Sequence, residues 1–251
     1  MLEENVGRIL ERIRPGDVVL DIGSWARPFN RANWVLDQEP YETRGYYGLP
    51  PQGGEREHFT RETWIRRDIC SHEPFPFGEK EIDFVICSHT LEDIRDPLWV
   101  CSEMIRIAKA GYIEVPSRLA ETCRGVEPGQ VGWSHHRWLI DIEGGHVRFL
   151  MKYHRIHSHW RLSFPERFLR RMPEREQVQW LFWEDRFEFS ETTIHGVGAI
   201  EEELDRYVRT RRPYPSLLLT ADRAYRAARS LSHRAVGRLR REIAARRGGP
   251  G

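Results

Sequence analysis

The chain has 251 residues, 39% of them apolar and 31% charged, with nine Trp, eight Tyr and eleven Phe. That is enough apolar mass for one globular α/β domain with an appendage. A formal net charge of +1 leaves no overall field for nucleic acid or an anionic membrane, and no apolar run approaches the ~20 residues of a membrane span.

Met1 to Arg14 mixes acids with alternating apolar residues and so differs from a secretory leader. Nearly all basic residues are Arg; the only lysines are Lys80, Lys109 and Lys152. Such a bias follows from GC-rich coding as readily as from a polyanionic partner. Cys70, Cys87, Cys101 and Cys123 lack the close spacing of a zinc or redox pair. Reduced thiols in a cytoplasmic protein are the expectation.

In chain order, Val6, Ile9, Leu10 and Ile13 recur at helical spacing and predict an opening amphipathic helix. Val18 to Ile22 reads as a short buried strand stopped by Gly23. Trp34 to Asp37 is a second strand, Tyr41 to Glu57 a loop, and Trp64 to Arg67 a third strand followed by Asp68. Ile82 to Ser88 has the continuous apolar pattern of a strand buried on both faces. Asp96-Pro97 predicts a capped helix start, running to about Lys109 with Gly111 as its stop. Tyr112 to Val115 predicts the next strand. Residues 118–145 read as a loop-like insertion. His146 to Tyr153 and Val178 to Phe189 read as strands, and Pro165 to Arg171, Ala199 to Thr210 and residues 216–246 as helices.

The alternation of strand and helix implies a mostly parallel Rossmann-like sheet with helices on both faces and a C-terminal helical extension. The expected division is a domain over 1–195 and an Arg-rich extension over 196–251. Ligands on such sheets bind at the carboxyl ends of the strands, and several acids fall there. Asp21, Gly23 and Ser24 close the first strand. The glycine permits close backbone approach, and the acid can accept from an ammonium group or orient the loop. Asp37 ends the second strand, where a carboxylate can hold ribose hydroxyls or simply start a turn. Asp68 can accept from the exocyclic amine of adenine while Ile69 packs on the ring. The three-glycine dinucleotide fingerprint is absent, which argues against a nicotinamide dehydrogenase.

The run Asp83-Phe-Val-Ile-Cys-Ser-His-Thr-Leu-Glu-Asp93, Asp96-Pro97 and Ile105 to Ser117 resembles the type 11 methyltransferase-domain family, within the class I S-adenosylmethionine-dependent methyltransferases. The resemblance covers residues 18–117 well and extends loosely through His136-Arg-Trp138. Three positions depart from the pattern, one of them Ala110, where the family commonly has Pro. Asp93 stands where the family usually has His, and Trp25 occupies the place of the second glycine of D-x-G-x-G. The resemblance implies S-adenosyl-L-methionine as cofactor. Asp21, Gly23, Ser24 and Trp25 would line its methionine end, Trp25 covering the sulfonium by a cation–π contact. Asp37 would hold the ribose and Asp68 with Ile69 the adenine. Ser88 and His89 would sit under the sulfonium and face the acceptor.

A hydroxyl acceptor needs a base, for which His89 is the first candidate and His135 and His136 the next. His135, His136 and Trp138 also suit an acceptor pocket. A metal is not expected, because adjacent histidines point apart and no third ligand lies at motif spacing. The expected acceptor is a small molecule or glycan, methylated at oxygen or nitrogen. An RNA methyltransferase gripping its substrate through the tail is the alternative, as is a non-catalytic module that binds the cofactor. Between Ala221 and Arg247 the tail has nine arginines against two acids. It predicts a helix able to touch RNA, a membrane surface or a partner, or one merely solvated.

Overall fold

A computed structural model describes residues 1–211. The helix expected over 216–246, and with it any RNA or membrane contact of the Arg-rich tail, lies outside the described residues.

Five parallel strands form the centre: β1 (Val19–Ile22), β2 (Trp34–Asp37), β3 (Trp64–Arg66), β4 (Ile82–Ser88) and β5 (Ala108–Pro116). Their order in the sheet is β3-β2-β1-β4-β5, with β8 (Val178–Glu184) closing the edge antiparallel to β5. This is the doubly wound order, and its direction reverses between β1 and β4. The middle strands read as continuous apolar runs because both of their faces are covered. All four residues of β1 are buried, and so are Ile82, Phe84, Val85, Ile86 and Cys87 of β4.

On one face lies α1 (Glu3–Leu10), whose Val6 and Ile9 pack with Val19, Val35, Phe84 and Tyr112. Leu10 stays 39% exposed. On the other lies α2 (Pro97–Ile107), whose Val100 and Met104 join Leu20, Val85 and Ile113. Asp96 caps α2 as expected, accepting the Trp99 N–H at 3.0 Å, with Pro97 in the first turn.

The expected helical layers are thinner than the strand–helix alternation implied. β1 and β2 are joined by residues 23–33 with no helix between them, shorter than the dozen or more residues of a usual crossover. Phe29 fills the space instead. It is 1% exposed, and its N–H donates to Asp21 Oδ2 at 2.7 Å. The β2–β3 link carries only a 3-10 turn, Tyr41–Thr43.

Gly111 does not stop α2. Lys80 Nζ donates to the Ile105 and Ala108 carbonyls at 2.8 and 3.1 Å, satisfying the helix end from another segment. Gly111 lies within β5, where a Cβ would come 2.6 Å from the Val85 carbonyl oxygen.

After β5 come α3 (Arg118–Glu121), then β6 (Trp138–Glu143) and β7 (His146–Met151), paired antiparallel across Gly144-Gly145. Both glycines have positive φ, 60° and 81°, as a two-residue hairpin turn requires. The insertion expected to be loop-like over 118–145 thus contains a strand. The short helices α4 (Glu166–Leu169) and α5 (Glu174–Gln177) lead into β8. The single strand expected over Val178 to Phe189 is two, β8 and β9 (Glu188–Thr192), and β9 joins β7 in a second sheet. That sheet lies over α2, with Ile140, Val147 and Phe149 in the α2 core cluster. Finally α6 (Val197–Thr210) buries Ile200, Leu204, Tyr207 and Val208. Among the described residues no helix is long and apolar enough to cross a membrane, and the four cysteines are buried and free.

Candidate functional site

A cavity of about 700 Å³ opens at the carboxyl end of the sheet, within the usual size of a small-molecule site. Every parallel strand contributes the residues that follow it or end it: Gly23 after β1, Asp37 ending β2, Asp68 after β3, His89 after β4 and Pro116 ending β5. Topology alone makes this convergence, since five strands pointing one way deliver five loops to one rim. The insertion supplies the opposite wall through Trp133, His135, His136 and Arg137.

Of the residues singled out by sequence, Gly23, Trp25, Asp37, Asp68, Ile69, His89, His135 and His136 line this cavity. Asp21, Ser24 and Ser88 stand behind its wall. The Asp21 carboxylate turns inward to the Phe29 N–H, and Asp21 Oδ1 and the Ser24 and Ser88 hydroxyls are buried with no close hydrogen-bond partner among the described residues. Burial pushes the Asp21 carboxyl up to about 7. Trp138 is also structural: its indole N–H donates to the Ile94 carbonyl at 2.8 Å and its ring packs on Phe149.

Gly23 has φ +70°, and a Cβ there would lie 2.2 Å from Thr90 Cγ2. Glycine is therefore required for the chain to pass Thr90.

Asp37 accepts the Trp25 N–H at 2.9 Å and the Glu39 N–H at 2.8 Å. Burial raises its pKa, and these two donors oppose the rise. Each carboxylate oxygen keeps a second acceptor direction. Asp68 accepts from the Cys70 N–H at 2.8 Å and pairs with Arg95 at 2.7 Å. The Cys70 N–H foremost, with Arg95 added, holds its carboxyl below the ordinary range. Trp25 is anchored by its indole N–H to Thr43 Oγ1 at 2.9 Å and stacks on Tyr46.

His89 follows β4 with φ +53°, an uncommon conformation for a residue with a side chain. Its N–H donates to the Glu114 carbonyl at 2.8 Å. Its Nε2 lies 3.0 Å from Glu114 Oε1 and its Nδ1 3.5 Å from Glu92 Oε1. Burial would lower the imidazole pKa, but hydrogen bonding to Glu114 and Glu92 outweighs it and raises the value to about 9. Glu114 is depressed to about 2: burial works against ionisation, and the His89 hydrogen bond and charge overcome it. At neutral pH His89 is thus an imidazolium. That removes the physical ground for expecting it to be the base, because a charged imidazole has no lone pair to accept a proton.

Three acids of the wall escaped the sequence reading as site residues. Glu39 lies two residues beyond Asp37, and Glu92 and Asp93 lie inside the run that carries the family resemblance. Glu92 is 1% exposed, and neither carboxylate oxygen has a hydrogen-bond partner among the described residues. The signal was its place three residues past His89. Asp93 faces the two histidines: its Oδ1 is 3.6 Å from His136 Nε2 and 4.0 Å from His135 Nε2. The rings of His135 and His136 do diverge, at 80°, yet both present Nε2 to Asp93. A third donor is therefore present in space although none lies at motif spacing, which corrects the ground for excluding a metal.

No family model matches the chain, and no curated protein matches it. Solved structures do. An S-adenosylmethionine-dependent methyltransferase from Aquifex aeolicus is 16% identical over 46% of this chain and 64% of its own, with a TM-score of 0.30. One from Mesorhizobium loti is 16% identical over 58% and 63%, with a TM-score of 0.30. The N-terminal domain of EvdMO1, solved with S-adenosylhomocysteine and D-fucose, is 15% identical over 55% and 57%, with a TM-score of 0.33. The chain spans less than two-thirds of the length of each. The assignment of a Rossmann-like α/β fold rests on the strand order itself.

Proposed function

We propose that this chain is a class I methyltransferase that binds S-adenosylmethionine in the cavity and methylates an oxygen or nitrogen of a small molecule or glycan. The observation that carries this reading is the set of strand-end residues on one wall: Asp37 ending β2, Asp68-Ile69 after β3 and His89 after β4. An acid at the second strand end suits ribose hydroxyls. Asp68 retains acceptor capacity for an exocyclic amine, and Ile69, 7% exposed, suits the face of an adenine. The donor set also fits the ligand's charge. Asp37, Glu39, Asp68, Glu92 and Asp93 face the cavity against Arg95 and Arg137, and of these acids Glu92 is offset in part by His89, whose Nδ1 lies 3.5 Å from it.

When bound, S-adenosylmethionine supplies a methyl group on a positively charged sulfur. The chain's own residues orient and exclude water. Holding reactants in line can supply ~7–11 kcal/mol of a transfer barrier, and the anchoring of Trp25, Asp37 and His89 suits that task. His89, charged and clamped by two carboxylates, donates hydrogen bonds rather than taking a proton. The acceptor occupies the side built by Asp93, His135 and His136, which carry the lone pairs available there.

Hydrogen–deuterium exchange tests the placement. S-adenosylhomocysteine should protect amides in 23–27, 36–40 and 66–70. Protection elsewhere, or none, would refute it.

A further inference from the structure

We infer that Asp93, His135 and His136 form a binding site for a divalent transition-metal ion, of the zinc kind, at the acceptor end of the cavity.

The segment bearing the histidines is pinned against the turn that bears Asp93. The Arg137 and Trp138 N–H groups donate to the Glu92 carbonyl at 2.7 and 3.2 Å. This brings one donor atom from each of the three residues within 4.8 Å of the others. An ion held at ~2.0–2.2 Å by imidazole and carboxylate asks for donors roughly 3–3.5 Å apart. The observed 3.6 and 4.0 Å from Asp93 Oδ1 to the two Nε2 atoms need a small contraction, and the two histidine nitrogens, within 4.8 Å of each other, need one of up to ~1.3 Å.

The backing of the histidines points the same way. His136 Nδ1 is 2.5 Å from Glu121 Oε1. Glu121 is 1% exposed, and its other oxygen takes Lys152 Nζ at 2.7 Å. A hydrogen on Nδ1 facing that carboxylate leaves the Nε2 lone pair toward Asp93. Glu127 Oε1 stands 3.7 Å from His135 Nδ1, in the corresponding place. A carboxylate behind the far nitrogen is how protein metal sites fix the ligating tautomer and raise ligand basicity.

Asp93 Oδ1 meanwhile is buried and has no hydrogen-bond partner among the described residues. Asp93 Oδ1 facing two imidazole nitrogens beyond hydrogen-bond distance is an arrangement that a cation between them would draw together. Two imidazoles and one carboxylate leave at least one coordination position open. It faces the cavity, so the ion would take water or an acceptor oxygen there and lower its proton affinity. Imidazole ligation favours zinc, iron, cobalt or nickel over magnesium, which prefers oxygen donors.

The test uses the full chain without an affinity tag, stripped with chelator, then titrated calorimetrically with Zn2+ and, in parallel, with Co2+ followed by visible absorption. One ion per chain is expected, with ligand-field bands for Co2+. H135A removes a side chain that is 59% exposed, so its chelator-treated form should keep the wild-type melting temperature. H135A and D93N should each weaken binding tenfold or more, and E121Q by 10–100-fold. S-adenosylhomocysteine affinity measured on H135A reports the cofactor reading separately, since His135 lies on the acceptor wall. Absence of stoichiometric Zn2+ or Co2+ binding, or wild-type affinity in H135A and D93N, would overturn the site.

Discussion

His89 Nε2 sits 3.0 Å from Glu114 Oε1, a carboxylate with no exposed surface, while the imidazole itself is 40% exposed to the cavity. Glu114 also accepts the Leu2 N–H at 3.0 Å and the Tyr112 hydroxyl. The pair ties the helix face of the sheet to the cavity floor.

The charge states set a pH window. His89 titrates near 9 folded against 6.5 unfolded, so its contribution to stability is complete below 6.5 and fades as pH rises through 9. Glu114 titrates near 2 folded against 4.5 unfolded, so its contribution is complete above 4.5 and fades as pH falls through 2. The pair therefore stabilises most between pH 4.5 and 6.5. His89→Asn, chosen because Asn tolerates positive φ, should melt lower than wild type, with the gap widest near pH 5–6 and narrowing toward pH 9. A gap independent of pH would show that the pair is not ionic.

Asp21 behaves in the opposite sense. Its carboxyl titrates near 3.8 unfolded and near 7 folded, so the folded state holds its proton longer. Stability should fall as pH rises from about 4 to about 7 and then level off. Asp21→Asn keeps an acceptor for the Phe29 N–H and removes the charge. It should be more stable than wild type at pH 8, by roughly 2–4 kcal/mol, and equal to it near pH 4, as measured by urea denaturation.

Gly23→Ala should destabilise by about 2–4 kcal/mol, from the left-handed backbone and the overlap with Thr90. In a double-mutant cycle Thr90→Ala should recover a kcal/mol or more of that cost. Strict additivity would show that the contact at 2.2 Å from Thr90 Cγ2 is not what requires glycine there.

Much of this architecture is legible in the chain because buried parallel strands are short, apolar and sharply ended. Trp34 to Asp37 and Ile82 to Ser88 match β2 and β4 residue for residue, and Asp96-Pro97 announces α2 through cap chemistry that is local. What failed was non-local. Gly111 resembles a helix stop, but Lys80 caps α2 from across the fold. The Gly144-Gly145 hairpin was legible from two glycines between alternating runs, yet the polar-aromatic cluster before it masked β6. At the cavity, acids at strand ends could be anticipated from periodicity. The inward turn of Asp21 could not, because it answers the Phe29 N–H in a crossover that lacks its helix. The meeting of Asp93 with His135 and His136 depends on backbone bonds between segments 45 residues apart, Glu92 and Arg137, and no spacing rule reports it.

The cofactor reading is tested most directly by calorimetric titration of S-adenosylhomocysteine into wild type and Asp37→Ala, with the fold of the variant checked by circular dichroism. Wild type should bind one molecule per chain, and the variant should bind more weakly by ~1–3 kcal/mol, or about 5–150-fold, through lost charge-assisted hydrogen bonds. No binding to wild type, or the same affinity in a folded Asp37→Ala, would contradict a cofactor site at the ends of β1 to β4.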